Sequence, residues 1–122
     1  MNRADEIASN FSQVKEKISV AAQGSGRDLD QLTLIAVTKT FPTTDLEMLY
    51  SLGIREFGEN RDQEAKPKAE QTADLEGVNW HFVGQLQSNK VKSVLGYAEV
   101  LHSLDRQSLL DELNKQAFVA EA

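Results

Sequence analysis

Lys39 is the most obvious nucleophile in the sequence, judged by its position. It lies directly after Thr38 at the end of the apolar run 32–37, which is rich in β-branched residues and predicts a buried strand. A lysine at a strand end can lose part of its hydration, which favours the neutral amine because the ammonium ion loses more by leaving water. A neutral amine can attack a carbonyl carbon and form a Schiff base. The alternative is a lysine that reaches solvent along its aliphatic stem, and position alone favours that alternative.

Glu59 and Asn60 are the next candidates, because they come shortly after the second strand-like run, residues 54–57. Asparagine offers both a donor and an acceptor, so Asn60 is suited to positioning a ligand. Asparagine is also a favoured helix N-cap. On the pattern alone, a cap at the start of the next helix is the simpler interpretation.

His81 alternates with two aromatic residues, Trp80 and Phe82. In a strand, this alternation places the aromatic pair on one face and His81 on the other. There His81 either approaches a ligand or forms a hydrogen-bonded part of the core, and His102, at the end of a later strand-like run, has the same two interpretations. Two histidines on different strands, in a chain without cysteine, are a weak metal signal, so we expect no metal site.

A regular alternation of strand-like and helical segments must position these residues. An N-terminal helix is followed by strand-like runs at 32–37, 54–57, 78–83 and 98–102, each with a helical segment after it. This order predicts an α/β protein with a parallel sheet and right-handed crossovers. Two architectures fit: a small doubly wound sheet, or part of a (β/α)8 TIM barrel, whose full chains run to roughly 250 residues. In both, chemistry takes place at the carboxyl ends of the strands.

Local signals predict where helices begin, bend or face the core. Residues 44–47 (Thr-Asp-Leu-Glu) form a capping box before the second helix, and Pro67 is expected to kink or split the third. Ser88 can cap a short fourth helix, and Ser103 or Asp105 the last one. In the last helix, the expected core-facing residues are Leu109, Leu110, Leu113 and Ala117.

The composition excludes several classes of protein. With 13 basic and 19 acidic residues the formal net charge is −6, which argues against nucleic-acid binding and polybasic membrane contact. The absence of cysteine excludes disulfide frameworks, thiolate zinc sites and cysteine nucleophiles, and it fits a cytoplasmic location. No apolar run approaches the roughly 20 residues of a membrane span, and the N-terminus lacks an apolar signal segment. The acidic pairs Asp62/Glu64 and Asp111/Glu112 are expected on solvated helix faces.

Four segments of the sequence resemble the signatures of the YggS/PROSC family, the pyridoxal phosphate homeostasis proteins. The segments are LIAVTKTFP at 34–42, FGEN at 57–60 with QE at 63–64, WHFVGQLQSNK at 80–90, and LHSLDR at 101–106. They occur in the family's order and at its spacing, and the third is the most specific. Together they extend the resemblance over essentially the whole chain.

The resemblance implies a TIM barrel of PLP fold-type III, similar to the N-terminal domain of alanine racemase. It implies that pyridoxal 5′-phosphate (PLP) is the cofactor and that Lys39 holds it as a Schiff base, with Asn60 and His81 on the cofactor side of the barrel. It further implies a cytoplasmic protein that buffers or delivers PLP without catalytic turnover. The alternative within the same fold is a PLP-dependent amino-acid racemase or decarboxylase, but the chain shows no convincing second acid or base.

The chain departs from the family in two respects. Arg61 stands where many members carry an aromatic residue, so the contact made by that aromatic is not carried over. Family members are also about twice as long, as a complete barrel requires. We therefore expect residues 1–122 to be the N-terminal half of a single PLP-binding barrel domain, without the family's phosphate-binding loops. Because a half-barrel exposes strand edges and an apolar inner face, its expected partners besides PLP are a C-terminal half or a second copy, with no nucleic acid or membrane.

Overall fold

The structure, a computed structural model, describes residues 2–120 and the side chains of residues 2–116. It contains a four-stranded sheet, with one helix before the first strand and a helix after each strand. The helices are α1 (Arg3–Ser25), α2 (Thr43–Ser51), α3 (Asp62–Gln71), α4 (Val91–Leu95) and α5 (Gln107–Ala120), and the strands are β1 (Ala36–Val37), β2 (Glu56–Glu59), β3 (Asn79–Phe82) and β4 (Ala98–Leu101). Short 3-10 helices span Leu29–Gln31 and Ser88–Lys90. None of the described helices is long and apolar enough to cross a membrane.

The predicted alternation of strands and helices and the parallel sheet are confirmed. Every neighbouring pair of strands is parallel, and the strands lie side by side in chain order, β1-β2-β3-β4. A doubly wound sheet reverses its strand order at the point where the ligand binds. The four described strands contain no such reversal.

One row of register partners across the sheet faces the helices and forms the core. We call it the covered row; its members are Ala36, Phe57, Trp80 and Ala98. The Phe57 and Trp80 rings lie 5.9 Å apart, and Leu46 of α2 is completely buried against them. A second apolar cluster surrounds Phe82. The prediction that Trp80 and Phe82 share one face of their strand is therefore confirmed, and the structure shows that this face packs on the core.

The next row of register partners points to the other face of the sheet. We call it the open row; its members are Val37, Gly58, His81 and Val100. The two valines at its ends are 47% and 42% exposed, whereas His81 in the middle is 6% exposed. A side chain at Gly58 would meet Ile35 and Val37 at 3.2 and 3.4 Å, so this position favours a glycine.

Two strands differ from their predicted bounds. The hydrogen-bonded part of β1 has only two residues instead of the six in the run 32–37, although Leu34 still packs against the core. The second strand lies two residues later than predicted, so that Gly58 and Glu59 belong to β2. Glu59 is therefore a buried strand residue, and its interpretation as part of a helix cap was wrong.

The predicted capping box at residues 44–47 is absent. Helix α2 begins at Thr43 after Pro42, and no side chain caps it. The carboxylate of Asp45 instead accepts a 2.7 Å hydrogen bond from Arg3, which ties α2 to α1. The hydrogen bond from Arg3 holds the pKa of Asp45 below its ordinary value, against the opposing effect of burial.

Three helix predictions in the second half of the chain need correction. Helix α3 is not split at Pro67, since it continues from Asp62 to Gln71, and the predicted alternative of a kink at this proline stays a prediction. No side-chain cap from Ser88 is found, since this residue lies inside a 3-10 helix preceded by Gln87. Leu109 is completely buried, but Leu110 is 36% exposed. Leu113 packs on the core as predicted, and the side chain of Ala117 lies outside the described residues.

Candidate functional site

Lys39 lies in a tight turn at the carboxyl end of β1, as the sequence predicted. The turn is closed by a 3.0 Å hydrogen bond from the Phe41 amide to the carbonyl of Thr38. Thr38 is buried, whereas Lys39 is exposed. Thr40 has a φ of 69°, in the left-handed region that costs a non-glycine residue roughly 1–2 kcal/mol. The backbone next to Lys39 is therefore strained and must be held by its surroundings.

A buried lysine from α3 lies beneath this turn. The ammonium group of Lys68 donates to the carbonyl of Thr38 at 2.7 Å, to Glu59 at 3.1 Å and to Glu64 at 2.8 Å. These three bonds use all three donors of the ammonium group. Lys68 is 5% and Glu59 is 1% exposed, so this is a buried ion pair. We call Thr38, Glu59, Glu64 and Lys68 the Lys68 cluster.

The same cluster also binds the turn on the other side of Lys39. The backbone amide of Thr40 donates to the carboxylate of Glu64, and the hydroxyl of Thr38 donates to Glu59. Burial opposes ionisation of Glu64, but hydrogen bonds from Lys68 and Thr40 outweigh it and hold the pKa of this carboxyl below its ordinary value. The residues before and after Lys39 are thus both attached to α3.

Asn60 lies at the carboxyl end of β2 and does not cap the following helix. Arg61 is the residue that precedes α3, so the cap interpretation of Asn60 was wrong. The side-chain oxygen of Asn60 is buried and has no hydrogen-bond partner within the described part of the chain. Asn60 lines a cavity of about 230 Å³ of mixed polar and apolar character, together with Gln85, Lys90 and Leu86. A buried polar atom without a partner is unusual and fits a ligand contact.

His81 combines the two interpretations given to it, because it is buried and hydrogen-bonded but belongs to the open row. Its Nε2 atom lies 2.9 Å from Glu56, and its Nδ1 atom lies 2.9 Å from Nε2 of His102. A carboxylate only accepts hydrogen bonds, so Nε2 of His81 donates to Glu56, and a neutral His81 ring accepts from His102 through Nδ1. Glu56 is fixed in turn by Asn79 at 2.8 Å. We call Glu56, His81 and His102 the histidine row.

Lys39 and Asn60 come shortly after β1 and β2, and His81 lies in β3, the strand next to β2. The structure brings Lys39 and Asn60 to the same edge of the sheet, since both follow the last residues of their strands. His81 lies one residue before the end of β3 and is held by groups from β2 and from the segment after β4. Within the described residues, no cluster of metal-ligating side chains is found.

Sequence reasoning missed Lys68, Glu64 and Glu56. Asp62 and Glu64 were expected on a solvated face, but Asp62 accepts hydrogen bonds from Ser93 at 3.0 Å and Tyr97 at 2.8 Å, and Glu64 binds the turn. Burial and the hydrogen bond to Asp62 raise the pKa of Tyr97 above its ordinary value. Nothing in the local sequence marks Lys68 as buried, because the segment around it is highly charged.

Curated relatives named pyridoxal phosphate homeostasis protein match most of the chain. The relative from Mycobacterium leprae is 36% identical over 99% of this chain and 50% of its own length. The relative from Aquifex aeolicus is 42% identical over 88% of this chain and 47% of its own length. The relative from Escherichia coli K12 is 40% identical over 92% of this chain and 49% of its own length. The chain thus spans about half the length of the curated relatives it matches. No protein-family model matches it.

Solved structures give the same result. The structure of PipY from Synechococcus elongatus with PLP bound has a TM-score of 0.71 and 33% identity, covering 84% of this chain and 48% of PipY. The crystal structure of an unknown protein from Bifidobacterium adolescentis has a TM-score of 0.86 and 30% identity. The match covers 98% of this chain and 52% of that protein's chain. The parallel four-stranded α/β fold is therefore similar to that of PipY. On these matches in sequence and structure, the chain belongs to the family of pyridoxal phosphate homeostasis proteins.

Proposed function

We propose that this chain carries the lysine side of a PLP-binding site and acts in PLP homeostasis, with Lys39 as the residue that binds the cofactor covalently. The observation that carries the proposal is the turn after β1, where Lys39 is exposed while Thr38 and Thr40 on either side are bonded to α3. The names of the curated relatives and the PLP in the PipY structure support the choice of cofactor.

The residues present fit this cofactor. When bound, PLP supplies an aldehyde carbon with which a neutral primary amine condenses, releasing one water molecule. Lys39 makes no side-chain hydrogen bond or ion pair among residues 2–116, so its amine is available for that step. Among the other lysines, Lys68 is buried with all three of its donors in use. Lys39 is therefore a better candidate than Lys68.

Asn60 and His81 are the proposed non-covalent contacts. The amide of Asn60 offers a donor and an acceptor, and its buried oxygen lacks a partner within the described residues. His81 presents a ring held by Glu56 and His102 on the open row. A ring fixed on both sides can contact a planar cofactor without losing further conformational freedom.

We further propose that the four β-α units form the N-terminal half of a (β/α)8 barrel. The strand order without reversal supports a barrel over a doubly wound sheet, and so does the matched half of PipY. In this proposal a C-terminal half closes the barrel and supplies the phosphate site, which barrels place after strands seven and eight. Size-exclusion chromatography tests the need for closure: a well-folded monomer of the chain alone would count against it.

We propose binding and delivery of PLP rather than catalytic turnover. The curated relatives are named for homeostasis, and the two carboxylates next to the turn, those of Glu59 and Glu64, are both paired with Lys68. Incubation of the PLP-loaded protein with single amino-acid enantiomers tests this point. Racemisation or decarboxylation that depends on Lys39 would favour the enzyme instead.

Reductive labelling tests the proposed role of Lys39. The chain is incubated with PLP, reduced with borohydride to convert the C=N bond into a stable secondary amine, and mapped by peptide mass spectrometry. We expect a phosphopyridoxyl group on Lys39, its loss in Lys39→Ala, and no change in Lys66→Ala, an exposed lysine on α3. Lys39→Ala is expected to change the free energy of unfolding by less than about 0.5 kcal/mol, because the side chain is exposed. Label scattered over many lysines would contradict the proposal.

A further inference from the structure

We propose that the Lys68 cluster is a clamp that positions Lys39, with Lys68 and Glu64 as its two positioning residues. This inference rests on the proposed function insofar as Lys39 is the PLP-binding lysine. Neither Lys68 nor Glu64 needs to touch the cofactor in this role. They act through the backbone of Thr38 and Thr40.

The clamp has two contact points, one on each side of Lys39. Lys68 binds the carbonyl of Thr38 at 2.7 Å, and Glu64 binds the amide of Thr40. Lys68 and Glu64 are themselves joined at 2.8 Å and lie four residues apart on α3. A helix is rigid over such a distance. The short backbone segment that carries Lys39 is therefore attached at both ends to one rigid element.

A third connection attaches the clamp to the sheet. The second carboxylate, that of Glu59 in β2, accepts from Lys68 at 3.1 Å and from the hydroxyl of Thr38. The Thr38 amide also donates to the carbonyl of Gly58 at 3.1 Å. Thr38 is thus bonded through its amide, its carbonyl and its hydroxyl. Its position relative to the sheet and to α3 is over-determined.

The charges in the clamp are not explained by fold stability. A buried ion pair is often no more stabilising than apolar side chains of the same volume, because both charges lose their hydration. Lys68 and Glu59 nevertheless occupy a site in which they are 5% and 1% exposed. Charge-assisted hydrogen bonds are shorter and stronger than neutral ones and fix geometry more tightly. A role in fixing the turn explains why two charges that lose their hydration are kept at this site, which packing alone does not explain.

Strain at Thr40 points in the same direction. Its φ of 69° is unfavourable for a β-branched residue, and such conformations persist where surrounding contacts hold them. The bond from its amide to Glu64 is such a contact. Without the clamp, the turn can relax and change the direction in which Lys39 leaves the sheet. We therefore expect the clamp to make Lys39 more reactive toward an aldehyde than other exposed lysines.

Four variants test the clamp. Lys68→Met removes the ammonium group, and Lys68→Met/Glu59→Gln also removes the carboxylate that would otherwise be left uncompensated. Glu64→Gln weakens the bond to the Thr40 amide while keeping the size of the side chain. Lys66→Met changes an exposed lysine on the same helix and is the matched control.

Two measurements are made on each variant of the full chain. Amide hydrogen exchange of Thr40, followed by NMR, reports on the turn without any cofactor. Labelling with PLP and borohydride gives the fraction of label on Lys39 relative to the other lysines. We expect Lys68→Met and the double variant to lose about tenfold in both quantities, Glu64→Gln to lose about threefold in Thr40 protection, and the Lys66→Met control to lose neither.

The double variant separates positioning from stability. It removes the fully buried carboxylate of Glu59 together with the ammonium group and leaves only the partly exposed carboxylate of Glu64, so it is expected to keep the fold even if Lys68→Met does not. If the double variant folds and again carries the PLP label mainly on Lys39, then Lys68 is only a structural residue and the clamp is overturned. Unchanged protection of Thr40 in the double variant would overturn it as well. If the unaltered chain is not labelled at Lys39, the proposed function fails, and Thr40 exchange still decides whether the clamp exists.

Discussion

Two adjacent rows of the same sheet meet different surroundings. The covered row includes Phe57 and Trp80, whose rings lie 5.9 Å apart under α2. The open row places Gly58 and His81 at the neighbouring register positions, with half-exposed valines at both ends. The first row contributes burial of large apolar surface, which is the main source of stability. The second row buries little apolar surface, because its valines are half exposed and its buried members are a glycine and a histidine, so core packing constrains its residues less.

The polar groups on the covered side and on the open side of the sheet also have different surroundings. On the covered side, the Lys68 cluster sets one ammonium group against the two carboxylates of Glu59 and Glu64 and lies behind the turn rather than in front of it. On the open side, the histidine row ends at the exposed ring of His102. The comparison suggests two different roles. The Lys68 cluster fixes the backbone next to Lys39, and the open row presents side chains to a ligand.

Phe57→Ala should give the largest loss of stability. Phe57 is completely buried, and deleting such a ring typically costs about 3–5 kcal/mol through lost burial and the cavity left behind. Val100→Ala on the open row should cost less than about 1 kcal/mol, because this side chain is 42% exposed. Urea denaturation of both variants measures the difference. Similar losses would mean that the open row is buried in solution by something other than the described residues.

Much of this arrangement could be predicted from local patterns. Alternation of apolar runs predicted the parallel sheet, and a period of two placed Trp80 and His81 on opposite faces, as the structure has them. The position of Lys39 at a strand end was also predicted. These features depend on neighbours in the sequence, so the sequence near each residue contains the information.

The Lys68 cluster could not be predicted in the same way. Its bonds join residue 38 to residue 68 and residue 40 to residue 64, and such contacts leave no local periodicity. A lysine between Pro67 and Ala69 in a highly charged segment is typical of a solvated face. Only the burial of Lys68 by the packing of α3 onto the sheet reverses that interpretation.

His81→Leu should have a smaller effect than Phe57→Ala. It removes the hydrogen bonds to Glu56 and His102, each worth about 0.5–1.5 kcal/mol, while keeping an apolar side chain of similar size. We expect a loss of about 1–2 kcal/mol in urea denaturation, and a weaker retention of PLP. The matched control is His102→Leu, which removes one bond at an exposed position and should cost about half as much. If the control costs more, His81 is not the centre of the row.

Acid should weaken the Lys68 cluster. The expected loss of stability is smaller than the losses expected for Phe57→Ala and His81→Leu. The folded-state pKa of Glu64 lies below its ordinary value of 4.5, because hydrogen bonds from Lys68 and Thr40 outweigh the opposing effect of burial. The unfolded chain therefore takes up this proton at a higher pH than the folded chain does. The resulting stabilisation is fully present above pH 4.5 and is lost as the pH falls through the folded pKa.

A comparison with Glu64→Gln isolates this contribution from the other carboxyl groups. The pKa of Asp45 is also lowered, because of its hydrogen bond from Arg3. The acid sensitivity of the whole chain therefore does not report on Glu64 alone. The difference in unfolding free energy between the unaltered chain and Glu64→Gln should be largest near neutral pH and should shrink below pH 4.5. Glu70→Gln, an exposed change on the same helix, provides the control. A difference that stays constant with pH would show that the Glu64 carboxylate does not hold the turn, and the clamp would then depend on Lys68 alone.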